Sequence, residues 1–189
     1  MKSILDEKLR ENFFIRLYFD DKEGFYHAGI RRAFLDFCRT LKILNANREN
    51  VKQDAKVYLF ERLCELNKNK LADQREFDDF HKTSYDQLIL IWSQLKIGQA
   101  QKWINMTLKY WLLFGDERIT GIETNAQYFH IPVDSYVQKE MIKEKSPKAW
   151  STINDYDVYM KYQHEHRLKQ TGNYPIIDEF IFFNTFRPK

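Results

Sequence analysis

A chain of 189 residues is long enough for one domain with a real core or for two small lobes, and 43% hydrophobic with 16% aromatic residues excludes a disordered segment. Six glycines and four prolines are too few for a chain of many short strands, so long helices are expected. Thirty basic residues against 27 acidic leave +3, a balance that permits a basic face for nucleic acid without requiring one.

No stretch approaches the roughly 20 apolar residues of a membrane-spanning helix, and the Met-Lys-Ser-Ile-Leu-Asp-Glu-Lys opening lacks the apolar run of a signal peptide. Cys38 and Cys64 fall inside apolar helical patterns and read as buried thiols in a reducing compartment. A cytoplasmic, monomeric protein with no membrane partner is expected.

In chain order, Ile4, Leu5, Leu9, Phe13, Leu17 and Tyr18 recur at helical spacing over 3–18, with Ser3 as N-cap. A second helix over about 22–42 puts Ile30, Phe34, Phe37, Cys38 and Leu41 on one face. After a loop at Asn45-Ala-Asn47, a third over about 49–66 carries Val57, Phe60, Leu63, Cys64 and Leu66. Asp73 opens a pattern through Phe77 and Phe80, and Ser84 reads as the cap of a separate run over 84–94.

Gly98 marks a turn before a helix over about 99–114. A polar connection at 116–132 leads to Pro132 and to a helix over about 133–144. Asp155 favours the first turn of a last long helix over about 153–170. Pro175 with Asp178-Glu179 makes a short helix of the apolar tail.

The chemistry-bearing residues lie between 96 and 137. Lys102 sits just inside the glycine-initiated helix among Trp103, Met106 and Tyr110; burial there disfavours an ammonium and makes the amine a nucleophile. Asp134 follows Pro132-Val133 at a helix start, where a carboxylate can stabilise positive charge on a sugar ring during glycosidic cleavage. Taken singly, Lys102 is a snorkelling surface lysine and Asp134 a helix-start carboxylate; their pairing is what suggests catalysis. His164 and His166 are two apart and face different ways on a helix, so a metal is not expected.

Ile97-Gly98 with Gln101-Lys102, followed by Pro132-Val133-Asp134 and Val137, resembles the helix-hairpin-helix base-excision DNA glycosylases, most closely the archaeal 8-oxoguanine branch. The second glycine of the usual Gly-x-Gly hairpin is replaced by Ala100. The resemblance implies an all-α, two-lobed helical bundle with a cleft between lobes, within a single helical domain over 1–189. One lobe would comprise 1–83 plus the C-terminal tail, the other 84–145.

It also implies a DNA glycosylase and AP lyase, without cofactor, that excises a damaged purine such as 8-oxoguanine from double-stranded DNA. Lys102 would be the Schiff-base nucleophile and Asp134 its carboxylate partner. Met106 and Lys109 would line the base pocket, with Asp178 and Phe182 as pocket carboxylate and stacking aromatic. Gly98 and Gln99 would meet the DNA backbone, and Trp103, Trp111 and Trp150 are further stacking candidates. The other readings are a non-catalytic helical module that binds nucleic acid or protein, and an N-glycosidase for a different substrate.

Overall fold

A computed structural model describes residues 6–41, 48–169 and 171–185. These are all-helical, with no strand among the described residues. The helices are α1 (Glu7–Phe19), α2 (Phe25–Phe37), α3 (Arg48–Lys68), α4 (Gln74–Ile91), α5 (Ile97–Phe114), α6 (Tyr156–Arg167) and α7 (Pro175–Thr185). Short 3-10 turns occupy Cys38–Thr40, Ile122–Tyr128 and Trp150–Thr152. The expected Ser3 cap and the Asn45-Ala-Asn47 loop lie outside the described residues.

Local capping explains most of the boundaries. Asp6, Asp73 and Asp155 each accept a backbone N–H of the first turn, at Leu9, Glu76 and Asp157 respectively. Two expected helices, through Phe80 and from Ser84, are one. Ser84 is fully buried, and its hydroxyl donates to Phe80 O, the back-bonding open to a mid-helix serine, so nothing interrupts α4. The expected lobe boundary at 83–84 therefore falls inside a helix. The helix expected over 133–144 shrinks to two turns ending in a π-helical Val137–Met141, and Lys143 then adopts a left-handed φ of 64°.

The expected apolar stripe of α1 points outward. Only Ile15 and Phe19 are buried, Phe19 packing edge-on against Tyr110 and Phe114, while Leu9, Phe13 and Leu17 are exposed. In α3 the buried positions are Ala55, Leu59, Leu63 and Leu66, and Val57 faces solvent.

The core is organised around α5. Fifteen of its 18 residues are buried, because α2 packs along one side of it while α4, α6 and the 150–152 turn cover others. The larger hydrophobic cluster joins α1 through α5, including Phe19, Phe37, Leu59, Leu88, Trp103 and Phe114. A smaller cluster gathers Ile97, Ile131, Val133, Val137, Ile153 and Tyr159 around the segment that follows Phe129. No helix among the described residues is long and apolar enough to cross a membrane.

Candidate active site

Lys102 faces outward from the second turn of α5 toward the 131–137 segment, though its side chain is only 6% exposed. Its ammonium donates to Asp134 Oδ2 at 2.7 Å. The other oxygen, Oδ1, accepts the backbone N–H groups of Tyr136 and Val137, each at 2.9 Å. Asp134 thus caps the short helix with one oxygen and faces Lys102 with the other, which fixes the carboxylate plane.

The segment leading to Asp134 has no helix of its own, so side chains hold it. Gln163 of α6 binds both backbone groups of Ile131, accepting from N–H at 3.1 Å and donating to C=O at 2.9 Å. Buried His130 contacts Tyr159 OH through Nδ1 and Asp78 Oδ1 through Nε2, both at 2.7 Å. Arg167 grips Asp78 with two guanidinium nitrogens, at 2.8 and 3.0 Å. Although burial pushes Asp78 up, the hydrogen bonds from His130 and Arg167 hold its carboxyl well below the usual range. Burial also pulls His130 down to about 4, partly offset by Asp78, and holds His81 well below its ordinary value.

A cleft of about 320 Å³ opens beside the Lys102–Asp134 pair, lined by Tyr18, Asp36, Met106, Lys109, Tyr110, Tyr136, Glu179 and Phe183 together with the pair itself. Lys109, two turns beyond Lys102, forms a second ion pair. Its Nζ lies 2.7 Å from Glu179 Oε1 and 2.6 Å from Oε2, with good hydrogen-bond geometry to Oε1 alone. Glu179 is almost fully buried, and burial raises its carboxyl despite the pull of Lys109. The Lys109 ammonium also sits 4.7 Å from the centre of the Phe183 ring, within cation–π range.

On the remaining wall Tyr110 OH donates to Asp36 Oδ2 at 2.6 Å, and burial pushes that phenol far above its ordinary range. Arg32 donates to Tyr18 OH at 2.5 Å. The lining thus holds two lysines and three carboxylates, so the cavity presents hydrogen-bond donors as well as acceptors to a polar ligand.

Of the residues singled out in the sequence, Lys102, Asp134, Met106 and Lys109 meet at this cleft. Asp178 does not. It lies in the first turn of α7, where it accepts from Thr171 Oγ1 and from Asn173 Nδ2 (3.0 Å) and faces His166 Nε2 at 3.1 Å. Phe182 packs edge-on against Phe183 but does not itself line the cleft. Glu179 and Phe183, one position further along, have the same i, i+4 spacing and take the cleft positions.

Gly98 and Gln99 do not present amides to a phosphate. The Gly98 N–H donates to Ile153 O at 3.0 Å and the Gln99 N–H to Lys96 O at 3.0 Å. The Gln99 side chain binds Lys96 N and Thr40. Gly98 is needed for a different reason: a Cβ there would lie 1.8 Å from Trp150 O.

Trp103 and Trp111 are fully buried, with indole N–H groups donating to Ile30 O and Tyr26 O, so they belong to the core rather than to a stacking surface. Trp150 is half-buried between the two hydrophobic clusters.

Glu179 and Phe183 could have been found from their shared spacing, whereas the sequence already places Tyr110 beside Lys102. Tyr18 and Asp36 carry no local signal, because only the packing of α1 and α2 on α5 brings them to the cleft. Among the described residues no group of three or more His, Cys, Asp or Glu side chains is placed to hold a metal ion. Comparison of the chain with protein-family models, curated proteins and solved structures finds no match in any of the three.

Proposed function

We propose that the chain is a cytoplasmic DNA glycosylase with AP lyase activity, which extrudes a damaged purine of the 8-oxoguanine type into the cleft and releases it through Lys102. The single observation that carries the reading is the 2.7 Å contact between Lys102 Nζ and Asp134 Oδ2 at the edge of a cleft that holds a second lysine–carboxylate pair. The two-lobed helix-hairpin-helix architecture is part of this reading, with the cavity beside Lys102 and Asp134 as the cleft between the lobes.

In the proposed reaction, Lys102 gives a proton to Asp134 Oδ2 and its freed lone pair attacks C1′ of the sugar. The glycosidic C–N bond breaks, its electron pair leaves with the base, and the base takes up the proton held by Asp134. Asp134, a carboxylate again once it has given that proton to the base, stabilises the positive charge on the Lys102-bound sugar. A proton passes from the attached nitrogen to O4′ as the C1′–O4′ bond breaks, which opens the ring to the Schiff base; loss of a C2′ proton to Asp134 then expels the 3′ phosphate and cuts the strand. Lys109, Glu179, Met106 and Phe183 enclose the extruded base, with Glu179 taking the carboxylate role that the sequence suggested for Asp178.

One observation favours the second reading, a non-catalytic binding module or an N-glycosidase for another substrate. The Gly98 and Gln99 amides are bonded within the protein and offer no phosphate cradle. Borohydride trapping on duplexes carrying 8-oxoguanine or an abasic site separates the readings. A covalent adduct lost in Lys102→Ala supports the lyase; neither adduct nor base release across a panel of lesions removes it.

A further inference from the structure

Lys102 stands on a rigid helix, but Asp134 stands at the end of an irregular segment, and a catalytic pair has to be held to within about 0.5 Å. We propose that Gln101 is the positioning residue that sets Asp134 against Lys102. Gln101 precedes Lys102 on α5, is completely buried, and binds Val133, the residue before Asp134, at both backbone groups. Its Nε2 donates to Val133 O at 2.8 Å and its Oε1 accepts from Val133 N at 3.2 Å.

The remaining capacity of the amide is also filled. Nε2 donates to Gly98 O at 2.9 Å and Oε1 accepts from Asn105 Nδ2 at 3.1 Å, so two donors and two acceptor sites are all satisfied. Asn105 is aligned in turn by His81 Nε2 at 3.0 Å and by Tyr159 OH at 2.9 Å.

The geometry is that of one strand pairing with another, with a side-chain amide standing in for the second backbone. It ties the neighbour of the lysine to the neighbour of the aspartate, so the two functional atoms share one short linkage. Glutamate cannot donate to Val133 O, and methionine fills the volume without either bond. Asparagine is one methylene short. Gln163 makes the same two-point contact at Ile131, but two residues further from Asp134, where it fixes the path of the segment rather than the carboxylate.

The catalytic consequence rests on the glycosylase reading; the positioning itself does not, and two measurements keep them apart. The first is amide hydrogen exchange at Tyr136 and Val137, whose N–H groups bond Asp134 Oδ1. Gln101→Met is expected to lower their protection about tenfold while Leu108 and Trp111 in α5 keep theirs. Gln163→Met should change Tyr136 and Val137 by less. Gln101→Asn serves as the second variant should the methionine form not fold, with the same selective loss expected.

The second measurement compares single-turnover trapping with duplex affinity, for which about a tenfold fall in the trapping rate at a Kd within about threefold of wild type is expected. Unchanged protection at Tyr136 and Val137, or protection lost equally throughout α5, overturns the proposal. So does a trapping rate that is unchanged or falls only in step with Kd. A wild-type protein that traps no DNA removes the glycosylase reading, and the exchange data alone then decide the role of Gln101.

Discussion

Glu179 lies against Lys109 with both carboxylate oxygens within 2.7 Å of the ammonium, and its side chain is only 1% exposed. Removing one member of such a pair leaves the other charge buried and uncompensated. Glu179→Gln is expected to cost about 3 kcal/mol in urea or guanidinium unfolding, and Lys109→Met a similar amount. The double variant Lys109→Met with Glu179→Leu should cost less than the sum of the two. Additive costs would show that the pair is not energetically coupled.

Asp134 has two duties that two substitutions can separate. Asp134→Asn keeps an oxygen for the Tyr136 and Val137 N–H groups and removes the charge facing Lys102. Asp134→Ala removes both, and the lost cap adds about 1 kcal/mol to its destabilisation. If the proposed glycosylase activity holds, base release and trapping fall in both variants; thermal unfolding distinguishes them in any case, with the alanine form the less stable.

Acid should destabilise the protein over two successive pH ranges. The unfolded chain protonates His130 near its ordinary value, but the fold does so only near 4, so between these limits the unfolded state binds more protons and stability rises with pH. The His130 contribution is fully present above about pH 6.5 and is lost as pH falls toward 4, on the order of 3 kcal/mol in all. His81, depressed by burial and by His130, acts in the same direction. The carboxyl of Asp78 is also depressed, so its share is lost only below about pH 4, its ordinary range. Glu179, raised by burial, opposes the trend weakly. Urea midpoints measured from pH 8 to 3 should be flat above 7 and fall steadily below 6.5; a midpoint independent of pH down to 4 would contradict the neutral, buried histidines.

Gly98→Ala forces the 150–152 turn off the start of α5, because the added methyl meets a backbone oxygen rather than a yielding side chain tip. A loss of about 3 kcal/mol is expected, measured by denaturant unfolding. Gly24→Ala makes a useful contrast: its φ of 87° strains an L residue, but its Cβ would meet nothing within 4 Å, so a loss of about 1 kcal/mol is expected.

The helices were readable because 3.6-residue apolar spacing is a local signal, which α2, α5 and α7 follow, and because Asp73 and Asp155 mark the starts of α4 and α6. Where packing decides, the reading failed. Ser84 looks like a cap only until its hydroxyl is given a carbonyl within its own helix. The apolar stripe of α1 could not be oriented without knowing that Ile15 and Phe19 are the buried pair, with Phe19 against Tyr110 and Phe114 of α5. Lys102, Asp134, Met106 and Lys109 were legible as a set because one helix and one short motif carry them. Asp178 was preferred to Glu179 because an i, i+4 pattern does not say which of two adjacent registers faces inward. Tyr18 and Asp36 lie more than 60 residues before Lys102 and reach it only through tertiary contact.

The near-complete burial of α5 divides the cleft into a part that tolerates change and a part that does not. Lys102, Met106, Lys109 and Tyr110 stand on a helix enclosed on nearly every side, where a substitution that alters chemistry also disturbs the core. Tyr18, Tyr136 and Phe183 reach the same cavity from elements at the margin of the fold, and Asp36 from the last turn of α2. New ligand preferences should therefore arise along that outer wall, by exchange of four side chains around an unchanging pair of lysines.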